Sequence, residues 1–255
     1  MRPLLLIAIL FACIEARAPV RVIFGPVSAG HSLNAGLIAY FKMEEASGTR
    51  IDSEPTGTPQ DFADNNTVTQ TTGKIGNAAS FLTANGEYLS HADSTDLSGV
   101  YAIAGWFNGT TFSADMTIFS HWITTPNERR LLLWYKHSVT QMELQVSNNG
   151  TNATTLVDAS TFGTPSTGTW YFIYAVYDVA GNTIGISINN GTLNTAAHLT
   201  GLYDSGAIVT IGDRGGTANR WNGALDEIGF WNRPLTAGEL TYLYNAGAGR
   251  TCCAF

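Results

Sequence analysis

WNGALDEIGFWNRPLTAGELTYLYNAG, residues Trp221–Gly247, contains a strand, a turn and a short helix in sequence. Alternation predicts a strand over Ala224–Trp231. It sets Ala224, Asp226, Ile228 and Phe230 on one face and Leu225, Glu227, Gly229 and Trp231 on the other. The helix start is signed by Thr236 as N-cap with Glu239 three residues on, a capping box in which each side chain takes a backbone N–H of the other residue. Leu235 before the cap and Leu240 in the first turns form the hydrophobic staple that accompanies it. Gly247 is placed to end the helix, because a left-handed terminal residue costs glycine nothing.

The run from Gly223 through Asp226, Glu227, Trp231, Arg233, Leu235, Glu239 and Tyr244 to Gly247 resembles the closing motif of laminin-G-like, concanavalin A-like domains. The resemblance continues upstream. Met43–Ser53, ending in Asp52 and Ser53, is similar to the family's opening motif, and Gly73–Phe81 and Glu87–Leu89 to the segments after it. It therefore spans Gly36 to Gly247. It implies an all-β fold, two antiparallel sheets packed as a jelly-roll sandwich with one short C-terminal helix. It leaves function open, because lectins, adhesins and hydrolases share such sandwiches.

The rest of the chain agrees with that architecture. Charged residues are 13% of 255 and glycine occurs 27 times, a profile of short strands and tight turns rather than of long helices or disorder. Gly36–Phe41 reads as the first strand. Tyr101–Asn108, Met116–Ile123, Arg130–Lys136 and Gln141–Ser147 follow at sandwich spacing. Trp170–Asp178 sets Trp170, Phe172, Tyr174 and Val176 on one face. Thr183–Asn189, closed by the turn signal Asn190-Gly191, and Ala207–Gly212 complete the series.

A net charge of −7 with scattered Lys and Arg leaves no basic footprint, so nucleic acid is not an expected partner. Met1–Ala18 has a positive start, an apolar run and an A-x-A-like end, which predicts a secretory signal and a secreted or cell-surface protein. Cys13 within it also fits a lipidation site, and a retained apolar arm is the remaining reading. No other segment is apolar enough to span a membrane. Residues 19–34 read as a leader, 35–250 as the domain, and 251–255 as a tail. The tail holds Cys252 and Cys253, expected as free thiols or an intermolecular bridge, since adjacent cysteines lie closer than ordinary disulfide geometry allows.

The chemistry-bearing residues point to binding rather than catalysis. Retaining glycosidases need two carboxylates about 5–5.5 Å apart on one face. Asp226 and Glu227 are neighbours and would point oppositely, and no serine elbow or zinc motif is present. The expectation is therefore a non-enzyme. Asp226, on a face shared with Ile228 and Phe230, needs a partner, because a lone buried charge is costly. Backbone N–H groups or Arg50 would serve, and so would calcium. By the family resemblance Asp52 and Asp64 are the co-ligands of such an ion. A glycan would stack on aromatic rings while polar neighbours take its hydroxyls; Trp122, Trp134, Tyr135, Arg214 and Asn219 are the candidates. Trp134 and Tyr135 point to opposite faces, so one lies outside the core. N-x-[ST] sequons occur at Asn65, Asn108, Asn149, Asn152 and Asn190.

The leading expectation is a secreted or surface module that binds a glycan or cell-surface ligand, with calcium as its candidate cofactor. The alternative is an assembly subunit, homo-oligomeric through Met1–Asn34 or Cys252/Cys253. A glycoside hydrolase stands third.

Overall fold

The computed structural model describes residues 33–54 and 57–253; the apolar leader and Cys13 lie outside them. In chain order the strands are β1 (Leu37–Phe41), β2 (Ala63–Asn65), β3 (Thr69–Thr72), β4 (Asn77–Phe81), β5 (Tyr88–His91), β6 (Ala102–Gly109), β7 (Met116–Ile123) and β8 (Glu128–Lys136). They continue as β9 (Gln141–Val146), β10 (Thr155–Asp158), β11 (Tyr171–Asp178), β12 (Thr183–Ile188), β13 (Asn194–Ala197), β14 (Val209–Ile211) and β15 (Gly223–Trp231). Helix α1 (Ala237–Tyr244) follows them.

All pairings are antiparallel and build two sheets. The eight-stranded sheet runs β13-β12-β11-β6-β15-β4-β3 with β1 beside β15; the seven-stranded sheet runs β10-β9-β8-β7-β14-β5-β2. Their inner faces meet in one core of Phe41, Phe107, Phe119, Leu133, Leu144, Ile173, Ile186 and Leu225, among others. This is the jelly-roll sandwich expected of the sequence.

A second apolar layer lies on the outer face of the eight-stranded sheet. Helix α1 and the C-terminal tail press Leu235, Leu243, Cys252 and Cys253 onto Tyr40, Ala104, Trp106, Phe172, Tyr174 and Trp231. The capping box forms as expected, with Thr236 Oγ1 accepting from the Glu239 N–H and Glu239 accepting from the Thr236 N–H. Asn245, not Gly247, is the left-handed residue that closes the helix. Cys252 and Cys253 are buried and bonded to each other, which corrects the expectation of free thiols or an intersubunit bridge. Among the described residues no helix is long and apolar enough to cross a membrane.

One correction changes the reading of β15. A bulge between Asp226 and Gly229 places Glu227 at φ +52°, and the alternation changes phase there. Leu225, Ile228 and Phe230 all enter the core, whereas Trp231 joins the outer layer. Asp226 therefore does not share a face with Ile228 and Phe230. It pairs with Trp106 on the outer side.

Candidate functional site

Trp122, Leu132 and Trp134 form a small cluster on the outer face of the seven-stranded sheet, separate from the core. Trp134 Nε1 donates to Glu143 Oε1 at 2.7 Å across the β8–β9 pair. The Lys136 ammonium lies 4.5 Å from the Trp134 ring centre and the Arg214 guanidinium 5.8 Å from it. Arg129 stands 6.0 Å from the Trp122 ring centre. Long cationic side chains lay their stems on the indoles and keep their heads wet, so each ring is only 4% exposed. Burial pushes the Glu143 carboxyl above its ordinary range. Tyr135 points the other way, into the core, 4.7 Å from Phe112 between ring centres.

The structure thus closes the aromatic surface that the sequence nominated for a ligand. Arg214 is one of its lids. Asn219 sits elsewhere, at the sandwich rim, where a cavity of about 400 Å³ is lined by Thr83, Ser113, Asp115, Asn219, Arg220 and Asn222.

The three nominated calcium ligands sit in separate backbone cradles. Asp52 accepts the N–H groups of Tyr40, Glu54 and Gln60 at 2.9–3.0 Å. Asp64 accepts those of Gly48 and Val68 at 3.0 and 2.8 Å. Asp226 Oδ2 accepts those of Lys74 and Ile75 at 2.8 and 2.9 Å, which fixes the turn between β3 and β4. Arg50 serves the carbonyls of Gly48, Val68 and Thr69 and pairs with Glu45 rather than with Asp226. Among the described residues no group of three or more His, Cys, Asp or Glu is placed to hold a metal ion.

The bulge also brings Glu227 toward the C-terminal tail, where Thr251 Oγ1 donates to its carboxylate at 3.2 Å. Asp226 and Glu227 are 0% and 5% exposed, and burial raises each to a pKa of about 7. Among the described residues Asp226 Oδ1 and Glu227 Oε2 have no hydrogen-bond partner. The tail covers the pair, with Gly249 packed against Ile75 and Lys74.

Two grooves lie on the outer face of the eight-stranded sheet: one of about 480 Å³ against helix α1, lined by Tyr174, Val176, Asp178, Ser187, Asn190 and Leu240, and a smaller one past the end of the helix. The smaller groove is built from one transverse row. Ser80 pairs with Ala224, and Ala224 with Asn108. On the next strand Tyr171 pairs with Phe107, so Trp170, just before β11, continues the row beyond Asn108. Ala224 and Gly223 form the floor. No Cβ fits at Gly223, which has φ +140° and would place one 2.1 Å from the Asn108 carbonyl oxygen. Thr71 and Thr72 of β3 form the far wall, and the groove holds about 240 Å³. Trp106, one row along, is stacked on Tyr244 and capped by Lys74, so the helix bounds the groove on that side.

Of the six tryptophans, five are at most 4% exposed and Trp170 alone is half-buried. Among the described residues no ring or cation stacks on Trp170, and the side chains of Thr71, Thr72, Ser80 and Asn108 make no hydrogen bond. The sequence pattern sets Trp170 on one face with Phe172, Tyr174 and Val176, and the structure keeps it on that outer face. The signal that marks it out is its place at the mouth of the strand, beside Gly168, where nothing lies within 4 Å of an added Cβ.

Comparison with known proteins places this geometry. The family model described as the concanavalin A-like lectin/glucanases superfamily (Laminin_G_3) matches residues 83–241. No curated protein sequence matches the chain. Among solved structures, domain 4 of AbnA, a GH43 extracellular arabinanase from Geobacillus stearothermophilus, in complex with arabinotriose, superposes with TM-score 0.60 at 16% identity, covering 84% of this chain and 98% of that one. The binding domain of Paraclostridial Mosquitocidal Protein 1 gives TM-score 0.64 at 9% identity, over 84% of this chain and 53% of that one. The binding domain of botulinum neurotoxin DC in complex with SialylT gives 0.55 at 12%, over 84% and 52%. The chain thus spans about half of each toxin binding domain. At these identities the likeness is one of fold.

Proposed function

We propose that this chain, which belongs to the concanavalin A-like lectin/glucanase superfamily, is a non-catalytic glycan-binding module. The observation that carries the reading is the Trp170 groove: a half-buried indole beside four unpaired hydroxyl and amide side chains on a floor of Ala224 and Gly223. Sugars present that chemistry in reverse, with an apolar ring face for stacking and hydroxyls for hydrogen bonds. Two solved structures of the same fold are complexes with arabinotriose and with SialylT, which supports a saccharide ligand for this fold.

A binding role fits the carboxylates better than hydrolysis does. Asp226 and Glu227 are the adjacent acids with the largest upward shifts, and both are roofed by the tail rather than presented to a groove. The secretory signal that the sequence of Met1–Ala18 predicts would bring such a module to glycans outside the cell.

The test is a glycan array probed with the full chain, followed by calorimetry on the best binders. Saturable binding to at least one glycan is the expected outcome. Absence of binding across neutral, sialylated, uronic and sulfated glycans sinks the reading.

A further inference from the structure

We infer that the Trp170 groove takes one neutral sugar unit, without a metal ion, and that this sets the module's selectivity. The inference rests on the glycan-binding reading and deepens it.

The first part follows from charge. The groove is lined by Thr71, Thr72, Ser80, Asn108, Thr110, Gly168, Trp170, Gly223 and Ala224, none of which ionises. A sialic acid, uronate or sulfate placed there would lose hydration without gaining a cation, and that desolvation is costly. The charged groups one row away are engaged. Asp226 is held by the Lys74 and Ile75 amides, and the Lys74 ammonium lies 4.7 Å from the Trp106 ring centre. The molecule's net charge of −7 adds long-range repulsion of anionic ligands. With no carboxylate in its lining, the groove offers calcium no ligand set.

The second part follows from size and shape. A volume of about 240 Å³ is below the ~300–1,000 Å³ of sites that enclose larger ligands, so one ring fits and the rest of an oligomer projects outward. The polar groups lie on both sides of an apolar floor. Ser80 and Asn108 flank Ala224 in one row, with Trp170 as the end wall. A ring stacked on the indole turns its edge hydroxyls toward Asn108 and its far hydroxyls toward Thr71 and Ser80. Among the described residues their hydrogen-bonding atoms are not committed elsewhere, so binding breaks none of the bonds found there.

The full chain, produced in a host that leaves the Asn108 sequon unmodified, is titrated with two panels. One holds neutral arabino-, xylo-, gluco-, galacto- and manno-trioses. The other holds sialyl-, glucuronyl- and sulfated trisaccharides. Acrylamide quenching of tryptophan emission runs alongside, because Trp170 is the indole the quencher reaches most readily. The expected result has four parts. At least one neutral triose binds. The affinity is unchanged by EDTA and by salt between 0.05 and 0.5 M. The ligand protects the quenchable tryptophan. Trp170→Ala weakens binding by about tenfold or more, as loss of a stacking anchor does, and Trp170→Phe retains part of it. The unfolding midpoint of each variant shows that the loss is not misfolding. Three results overturn the inference while leaving a glycan-binding module in place: only the anionic panel binds, EDTA abolishes binding, or Trp170→Ala binds the neutral triose as the parent does. Failure of both panels overturns the glycan-binding reading itself.

Discussion

Trp134 stands on the outer face of the seven-stranded sheet and Trp170 on the outer face of the eight-stranded sheet, and they have opposite surroundings. Trp134 sits mid-strand. Its N–H is taken by Glu143, and its ring lies between Lys136 and Arg214. Trp170 precedes its strand, beside an open glycine; one side of it packs on the outer apolar layer and the other meets short polar side chains that cannot reach over it. Both are outward aromatics in a β-pattern. What separates them is the length of the residues around them: long cationic stems close a ring into a small satellite core, whereas threonine, serine and alanine leave one open.

The comparison breaks most directly on stability. Trp134→Ala removes a buried indole and one of the two donors of the Glu143 carboxylate, leaving it to Gln145 Nε2, so a loss of about 3–5 kcal/mol is expected. Trp170→Ala removes a half-exposed ring and is expected to cost about 1 kcal/mol or less. Urea unfolding of the two variants, with m-values checked, measures the difference. Equal losses would show that the two tryptophans are both structural and would end the distinction.

The next effect concerns the carboxylates hidden beneath the tail. Asp226 and Glu227 ionise at about 7 in the folded chain, against ordinary values of 3.8 and 4.5. Between those values the native state holds protons that the unfolded chain has released. Their contribution to stability is therefore fully present below about pH 4 and is lost as pH rises through about 7. The expected size is on the order of 3 kcal/mol for each of the two across that window. His121 and His198, lowered by burial, act in the opposite direction, so the informative quantity is a difference. Asp226→Asn is expected to gain stability relative to the parent as pH rises from 5 to 8, read by urea unfolding at each pH. A variant that tracks the parent across the range would show that Asp226 does not titrate there.

The same contrast between long and short, central and marginal residues explains what could be read from sequence. The central strands and the capping box were legible because their patterns are strong: Met142, Leu144 and Val146 alternate cleanly, and Thr236 and Glu239 have a single geometric meaning. The strands at the four ends of the two sheets, β2 (ADN), β3 (TQTT), β10 (TLVD) and β13 (NTAA), were not. Edge strands are short and polar because an apolar edge invites aggregation, and that removes the period-two signal. The bulge at Glu227 was invisible for another reason. Nothing in LDEIG announces an inserted residue, yet it moved Ile228 and Phe230 onto the opposite face from Asp226. The groove combines both difficulties. Its far wall is an edge strand, and its tryptophan sits one residue outside the strand whose pattern it seemed to join.

The smallest expected effect distinguishes the two accounts of the acidic residues. Calcium would be held by Asp52, Asp64 and Asp226 in concert, yet each already accepts two or more backbone N–H groups from a different segment. Carboxylates satisfied in this way tie loops to strands: Asp52 fixes Glu54 and Gln60 to β1, and Asp226 fixes the β3–β4 turn to β15. A metal would have to displace those bonds. A ligand that binds only the native state stabilises it in proportion to the logarithm of its concentration over its Kd, so calorimetric melting with 5 mM calcium and with 5 mM EDTA reads the question directly. Midpoints within about 1 °C of each other are expected, which corresponds to a small fraction of a kcal/mol. A calcium-dependent rise of several degrees would show that one of these cradles opens to a cation, and Asp226 would be the first to substitute, because its Oδ1 is buried without a partner among the described residues.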